Sequence, residues 1–430
     1  MVWVILLGGL VIMALIPVPI GVGLGLTGLA LLQFTVGGAT DLAIPAVWNV
    51  LADYTFSALP MFILMGEIML VSGMSSSLYS AMSPIFARVP GKLLHTNIVA
   101  STIFGAVSGT STATAAAVGS VAYPELAKRG YDRQTVVATL AAGGTLGLLI
   151  PPSISLILFG ATQQVSIGRL FLAGILPGLL IAAFFMILIL IITYRRPSLV
   201  PEETGGPVSL GEIFRNLASI WPFGLLIFMV LGTIYLGLAT SIEAAGLGVV
   251  AAAVLGATWG DLTLKSLWTA IVRSMNVFVA IGVILIGALI LAQALSILGV
   301  PFEVLSLIKE MNLSPVMVLV MVVIFYLILG CFFDGISLLL MTLPVVFPIM
   351  TAMGYDPVWL GVVITILIEI GMLTPPVGMN LFVITGITGG EVSLLQAARA
   401  SMPFWLVLVG SVALFTLFPQ IVLFLPSMMN

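Results

Sequence analysis

The chain has 430 residues, of which 61% are hydrophobic and only 7% are charged, and its formal net charge is −3 at pH 7. Soluble domains carry roughly 25% charged residues, so this composition excludes a soluble globular protein. It predicts a polytopic protein whose solvent is the lipid bilayer. The 13 Lys and Arg residues form no basic tract, which argues against a nucleic-acid partner. The single cysteine, Cys331, excludes an intrachain disulfide.

Apolar segments long enough to cross a membrane follow one another along the chain. A crossing helix needs about 20 apolar residues, and the uninterrupted candidates on that scale are 2–16 and 18–35, separated by Pro17-Val18-Pro19, then 47–72, 170–194, 218–237, 242–259, 270–298 and 400–426. Further candidates contain polar residues or prolines near their middle: 93–126, 134–166, 314–352 and 358–389. The stretch 195–217 is rich in Pro, Gly and charge, and we interpret it as a cytoplasmic linker.

The sequences on the two sides of this linker are related. Residues 124–152 align without a gap with residues 348–376 at an offset of 224, and the identities include a Gly-Tyr-Asp triplet and the closing Pro-Pro pair. These residues have special backbone demands, whereas chance identities in apolar sequence would be mostly Leu, Val or Ile. We therefore interpret 1–194 and 218–430 as an internal repeat, which is typical of many secondary transporters.

The charges of matching loops predict that the repeat is inverted. The loop KRGYDR of the first copy carries three bases, whereas its counterpart AMGYDP carries none. Short loops rich in Lys and Arg stay in the cytoplasm, so the two loops are expected on opposite faces of the membrane. This path of the chain through the membrane requires 93–126 and 314–352 to be re-entrant hairpins, each of which enters and leaves the membrane on the same side. The predicted fold is an all-α polytopic membrane protein of two inverted repeats.

Each predicted repeat also contains a helix that two consecutive prolines interrupt, 134–166 and 358–389. Proline has no N–H to donate and clashes with the preceding turn, and such a break is tolerated at membrane depth only where protein or a water-filled cavity satisfies the freed groups. A break exposes N–H groups that suit an anion and carbonyls that suit Na⁺ or H⁺. The polar hairpin tips, 107–115 and 329–337, add hydroxyl groups and the ionisable Asp334. This pattern predicts a polar site in the centre of the bilayer.

The motifs at these positions resemble a known family. The segments VSGTSTATAAAVGSV, GTLGLLIPPSI, GCFFDG and EIGMLTPPVGMNLFV closely resemble the large membrane subunit of tripartite ATP-independent periplasmic (TRAP) transporters, and the resemblance covers nearly the whole chain. It implies a sodium-driven elevator transporter of the bacterial inner membrane, not an enzyme. It also implies a periplasmic substrate-binding protein and a small four-helix membrane subunit as partners, an organic acid as substrate, and two or more coupling Na⁺ ions.

The same resemblance implies two sodium sites, in which several ligands are backbone carbonyls. The residues of the first site lie at the first tip and the first break: Ser108, Ser111, Gly147, Ile150 and Pro152. Those of the second site lie at the second tip and break: Gly330, Gly371, Thr374 and Val377. The residues expected to contact the substrate are polar neighbours of these positions: Thr110, Ser153, Asp334 and Asn380.

The expected motion is that of one rigid body. Opening a hairpin alone would expose unpaired backbone to lipid, at a cost of several kcal/mol per group. Moving both hairpins and both broken helices together keeps those groups satisfied. The helices expected to stay in place as a scaffold are 18–35, 47–72, 242–259 and 270–298.

Other interpretations stay open at this point. Small hydroxyl residues such as those of the first tip also serve helix packing in membranes. Glu67 either packs against the scaffold or the small subunit, or binds an ion or the substrate. Glu369, directly before the second break, is expected to bond nearby backbone rather than an ion.

The function itself has two alternatives. A stand-alone Na⁺/dicarboxylate symporter with similar inverted hairpins would need no binding protein. An intramembrane enzyme is disfavoured, because the chain has one His and no serine–base or aspartate pair at facing helical spacing. The identity of the organic acid does not follow from this sequence, since much of that choice would be made by the binding protein.

Overall fold

The computed structural model describes residues 1–16, 18–201 and 210–429, and every regular element in these ranges is helical. The helices up to residue 195 are α1 (Val2–Leu15), α2 (Ile20–Thr35), α3 (Ala43–Leu51), α4 (Ala58–Val71), α5 (Met74–Met82), α6 (Leu93–Ser108), α7 (Ser111–Lys128), α8 (Arg133–Leu149), α9 (Ile154–Gln163) and α10 (Ile167–Arg195). Those that follow are α11 (Leu210–Ser219), α12 (Trp221–Ile227), α13 (Thr233–Tyr235), α14 (Ser241–Thr258), α15 (Leu264–Ile297), α16 (Val300–Glu310), α17 (Pro315–Gly330), α18 (Gly335–Ala352), α19 (Pro357–Met372), α20 (Met379–Ile387), α21 (Leu394–Leu417) and α22 (Gln420–Ser427).

Among the described residues, seven helices are long and apolar enough to cross a membrane, or eight if the bent pair Gly211–Ser219 and Trp221–Tyr235 forms one crossing. The prediction of an all-α polytopic membrane protein is therefore confirmed. Pro17, in the predicted separator of the first two segments, lies outside the described residues, as do 202–209 of the predicted linker.

Three predicted segments differ from the helices of the structure: two are divided and one begins earlier. The segment 47–72 falls into α3 and α4, because the Asp53 carboxylate accepts a hydrogen bond from the Thr55 N–H (2.8 Å) and starts a separate turn. The segment 400–426 is divided between α21 and α22, with Pro419 at the start of the latter. The segment 270–298 begins earlier, at Leu264, because Thr263 forms a capping box with Ser266.

The Gly-Tyr-Asp triplets form the same joint in both aligned segments. Gly130 and Gly354 follow α7 and α18 with φ of +84° and +91°, a left-handed conformation that glycine adopts without strain. Asp132 then accepts a hydrogen bond from the first turn of α8, and Asp356 accepts one from the first turn of α19 (2.8 and 2.7 Å). Such side-chain acceptors satisfy N–H groups that have no partner within the helix. The sequence identities thus correspond to one turn-and-cap structure used twice.

The helices on either side of these joints form two interlocked series, α6–α9 and α17–α20. In each series the two arms of a helical hairpin contact each other and the helix that follows. The last helix of each series crosses to the other series, so that α20 contacts α7 and α8, while α9 contacts α18 and α19. We call these eight helices the core body. Its centre is buried on all sides by protein, since the most apolar 18-residue stretch of Arg133–Gln163 is 100% buried.

Helices α2, α4, α14 and α15 lie beside the core body, and we call them the scaffold. Helix α15 packs along α2 and against α4, and α4 packs on α14. The α2–α15 contact is close, because a Cβ on Gly21 would lie 2.3 Å from the Val283 carbonyl oxygen. In the most apolar 18-residue stretch of α15, only 28% of the residues are buried. The scaffold therefore offers an outer apolar surface, whereas α8 and α19 of the core body are enclosed.

Candidate functional site

The tip between α6 and α7 lies directly on the break between α8 and α9. Gly109 forms the tip with φ of +66°, and its carbonyl accepts a hydrogen bond from the Ile154 N–H at 3.1 Å. Gly105 and Gly147 touch through their backbones, because a Cβ on Gly105 would lie 2.8 Å from the Gly147 Cα. Tip and break are thus joined by contacts that only glycine allows. We call this contact the first junction.

The tip between α17 and α18 meets the break between α19 and α20 in the same manner. A Cβ on Gly330 would lie 2.7 Å from the Gly371 Cα, and the Val377 N–H donates to the Cys331 carbonyl at 3.2 Å. This contact is the second junction. The two junctions are built alike, since each has a close glycine pair and one backbone hydrogen bond from the break to the tip. Gly147 and Gly371 are also matching positions of the aligned segments.

The structure brings the residues predicted for the first sodium site to the first junction: Ser108, Ser111, Gly147, Ile150 and Pro152. The Thr110 carbonyl oxygen faces Gly147, at 2.5 Å from the position of an added Cβ. The Ser108 hydroxyl lies 3.4 Å from the same carbonyl. The Pro152 carbonyl oxygen faces the tip, 2.9 Å from the position of a Cβ on Gly109. Hydroxyl and carbonyl oxygens therefore gather at this point.

The residues predicted for the second sodium site meet at the second junction: Gly330, Gly371, Thr374 and Val377. The Thr374 N–H donates to the Gly371 carbonyl at 3.1 Å, and the Thr374 hydroxyl donates to the Ile370 carbonyl. The peptide bond between the two prolines is cis in both breaks. As at the first junction, the oxygens come from backbone and hydroxyl groups.

The four residues predicted to contact the substrate lie in two different environments. Thr110 and Asp334 line the central cavity, and Asp334 also caps α18 by accepting the Ser337 N–H at 3.1 Å. Ser153 and Asn380 are fully buried away from the cavity wall. The Ser153 hydroxyl donates to the Leu148 carbonyl within the first break.

The central cavity separates the core body from the scaffold and has a volume of about 420 Å³. Both hairpin tips line it from one side, and α4 and α15 line it from the other. This size is typical of small-molecule sites. Its described lining includes the acids Glu67 and Asp334 and no Lys, Arg or His. The Glu67 Oε2 atom is buried and has no hydrogen-bond partner among the described residues.

A larger cavity, of about 510 Å³, lies between the start of α8, the end of α10 and α21, where it is lined by Arg195, Arg196 and Arg399. None of the predicted site residues lines it. We therefore place the candidate site at the smaller, central cavity.

Sequence reasoning missed a polar bridge between the two series. The Ser111 hydroxyl donates to the Glu369 Oε2 at 2.9 Å, and the Asn380 Nδ2 donates to the Ser111 Oγ at 2.7 Å. Asn380 also donates to the Ala141 carbonyl at 3.2 Å. The prediction that Glu369 bonds nearby backbone is wrong, because its partner is a side chain of the first tip. The available signal was a buried acid beside the second break with no base near it in sequence.

Apolar crossing helices surround two matched helix breaks, and polar groups converge beside one cavity. Together these features define a multi-pass membrane transporter. Residues 7–421 match the family model described as "Tripartite ATP-independent periplasmic transporter, DctM component". The chain belongs to this family, which consists of transporter permeases rather than enzymes. The resemblance derived from the sequence motifs is thereby confirmed.

Individual relatives agree with this assignment. The chain is 34% identical over 408 residues to the C4-dicarboxylate TRAP transporter large permease protein DctM of Pseudomonas aeruginosa, covering 94% of this chain and 93% of that protein. It is 34% identical over 372 residues to the ectoine/5-hydroxyectoine TRAP transporter large permease protein UehC of Ruegeria pomeroyi, covering 86% and 85%. The fold is similar to that of the Alcanivorax borkumensis YdaH transporter, with a TM-score of 0.63, 16% identity and coverage of 90% and 91%.

Proposed function

We propose that this chain carries out sodium-coupled secondary active uptake of an organic acid across the bacterial inner membrane, by an elevator motion. The observation that carries the proposal is the pair of glycine-paired junctions. Each gathers hydroxyl and carbonyl oxygens where a tip meets a break, and both tips line one cavity. In secondary transporters, discontinuous helices hold the coupling ions and the substrate near the bilayer midplane. The two junctions supply one Na⁺ site each.

The donor atoms at the junctions fit a Na⁺ ion. They are the hydroxyls of Ser108, Ser111 and Thr374 together with backbone carbonyls. Hard oxygen donors suit Na⁺, whereas imidazole and thiolate ligands suit transition metals. A bound cation at each junction would also supply the positive charge that the described cavity wall lacks. Binding of a carboxylate and binding of Na⁺ would then favour each other, which is the physical basis of coupling.

The substrate class and the partners follow from the family and the relatives. The relatives are named for a C4-dicarboxylate and for ectoine, which are carboxylate compounds, and this supports an organic acid as substrate. The family description names one component of a tripartite periplasmic transporter. We therefore assign a periplasmic substrate-binding protein for delivery and a small four-helix membrane subunit that braces the scaffold. The family description therefore favours uptake of a substrate delivered by a binding protein over transport by a stand-alone symporter.

The proposed architecture is two inverted repeats, 1–194 and 218–430, with α6–α7 and α17–α18 as re-entrant hairpins. The crossed packing of α9 and α20 onto the opposite series supports it. A rigid shift of the core body past the scaffold would expose the cavity to one side of the membrane and then to the other.

Cysteine labelling tests the inversion. In a background that carries Cys331→Ser, a cysteine at Arg129 is expected to react with a membrane-impermeant thiol reagent only from the cytoplasm, and one at Met353 only from the periplasm. The reason is that these residues lie in the corresponding loops of the two series. Labelling of both from one face would remove the inverted repeat.

Uptake into vesicles tests the coupling. Proteoliposomes holding the chain and its small subunit, supplied with the binding protein loaded with a labelled C4-dicarboxylate or with ectoine, are expected to accumulate substrate when an inward Na⁺ gradient is imposed. An equal K⁺ gradient serves as the control and should give no accumulation. Equal accumulation in Na⁺-free, proton-buffered vesicles would show that the sodium assignment is wrong.

A further inference from the structure

Ser111 lies at the first junction, but its hydroxyl is held by residues that flank the second. Glu369 lies two residues before Gly371, and Asn380 lies three residues after Val377. All three side chains of the bridge are buried, with Ser111 and Glu369 each 1% exposed and Asn380 0% exposed. The bridge thus joins the start of α7 to α19 and α20, across the two series.

The direction of each hydrogen bond in the bridge is set by its neighbours. The Asn380 amide must turn its Nδ2 toward the Ala141 carbonyl at 3.2 Å, because two oxygens would repel there. The same Nδ2 therefore donates to the Ser111 Oγ at 2.7 Å. Ser111 must then direct its own proton to the Glu369 carboxylate at 2.9 Å.

This arrangement prepares Ser111 as a cation ligand. A hydroxyl has one proton and two lone pairs. In Ser111 the proton points to Glu369 and one lone pair accepts from Asn380, so one lone pair is left and no proton competes with a cation for it. Without the carboxylate, the hydroxyl could rotate and place its proton where the cation binds.

We propose that Glu369 and Asn380 are positioning residues of the first sodium site, which hold the Ser111 hydroxyl in its cation-binding orientation and make that site depend on the second break. The inference rests on the proposed function, because it takes Ser111 as a Na⁺ ligand. Glu369 acts here through Ser111 and does not itself contact the ion.

A double-mutant cycle read out by Na⁺ titration tests this role. The chain purified with its small subunit is unfolded by heat at increasing NaCl, with choline chloride keeping ionic strength constant. A ligand that binds only the folded state stabilises it in proportion to ln(1 + c/Kd), where c is the ligand concentration. Fitting the unfolding temperatures to this dependence gives the half-saturating Na⁺ concentration. Glu369→Met is expected to raise that concentration by about tenfold, because it removes a buried hydrogen bond that orients the Na⁺ ligand. In a Ser111→Ala background the same substitution is expected to cause no further rise.

Thr365→Val is the matched control. Thr365 lies one turn before Glu369 on α19, and its hydroxyl is 3.3 Å from that of Ser155 on α9, so it also bonds across the two series. Its loss is expected to lower the unfolding temperature without Na⁺ but to leave the half-saturating concentration within about twofold of the native value. If Glu369→Met does not fold, Glu369→Gln takes its place in the cycle, with a smaller rise that again disappears in the Ser111→Ala background.

Three outcomes would overturn the inference: no rise with either Glu369 variant, an equal rise with and without the Ser111 hydroxyl, or an equal rise with Thr365→Val. A native protein that Na⁺ does not stabilise at all would instead contradict the proposed sodium sites themselves. The two failures are therefore distinguishable.

Discussion

Replacing Gly371 with alanine is expected to lower Na⁺-driven uptake by more than about tenfold. The added Cβ would lie 2.6 Å from the Gly330 Cα and 3.0 Å from the Gly330 carbonyl oxygen. Both atoms belong to backbone, so no side chain can rotate away, and the second tip must separate from the break. Because the proposed sodium site consists of oxygens from both, separating them would remove that site. Initial uptake rates in proteoliposomes at saturating Na⁺ measure the effect.

Gly386→Ala is the matched control for this prediction. Gly386 lies in α20, on the other side of the same break, and has no atom within 4 Å of an added Cβ. Alanine is favoured over glycine in a helix by about 1 kcal/mol, so this variant is expected to fold and to transport like the native chain. Equal transport by Gly371→Ala and Gly386→Ala would show that the close glycine contact is not required.

The first junction is expected to respond in the same direction. A Cβ on Gly147 would lie 2.5 Å from the Thr110 carbonyl oxygen, so Gly147→Ala would force the first tip from its break. Parallel losses at Gly147 and Gly371 would support equivalent roles for the two junctions.

The local features of the site could be predicted from the sequence because their causes are local. Consecutive prolines cannot continue a helix, and α8 and α19 do end just before them, at Leu149 and Met372. The polar and small residues at 107–115 and 329–337 predicted the two hairpin tips. The helices are indeed interrupted within these stretches, at 109–110 and 331–334.

Contacts between distant parts of the chain could not be predicted. Ser111 and Glu369 are separated by 258 positions, and no spacing rule within a helix relates them. The burial of Ser153 and Asn380 away from the cavity likewise depends on how the two series interlock. The division of 47–72 depends on one hydrogen bond of Asp53, which the average hydropathy of the segment does not reveal. Hydropathy describes how apolar a segment is, but it does not describe where the chain turns.

The central claim is that the core body moves as a unit past the scaffold. Both series contribute a tip and a break to one cavity, and the scaffold wall opposite is formed by α4 and α15. Within the core body, α7 and α20 are in direct contact, since a Cβ on Gly119 would lie 2.6 Å from the Ile384 Cδ1. A covalent link between core body and scaffold should therefore block the motion, whereas a link inside the core body should not.

The most direct measurement is uptake by two cross-linked proteins in a Cys331→Ser background. One carries cysteines at Ile281 of α15 and Ile336 of α18, which line the cavity from opposite sides, and the other carries them at Gly119 and Ile384. Each is treated with a reducible bifunctional thiol reagent, and the extent of cross-linking is checked on gels. We expect the 281–336 link to reduce Na⁺-driven uptake to the level of empty liposomes until it is reduced, and the 119–384 link to leave uptake largely intact. Full-rate uptake with core body and scaffold covalently joined would contradict the elevator motion.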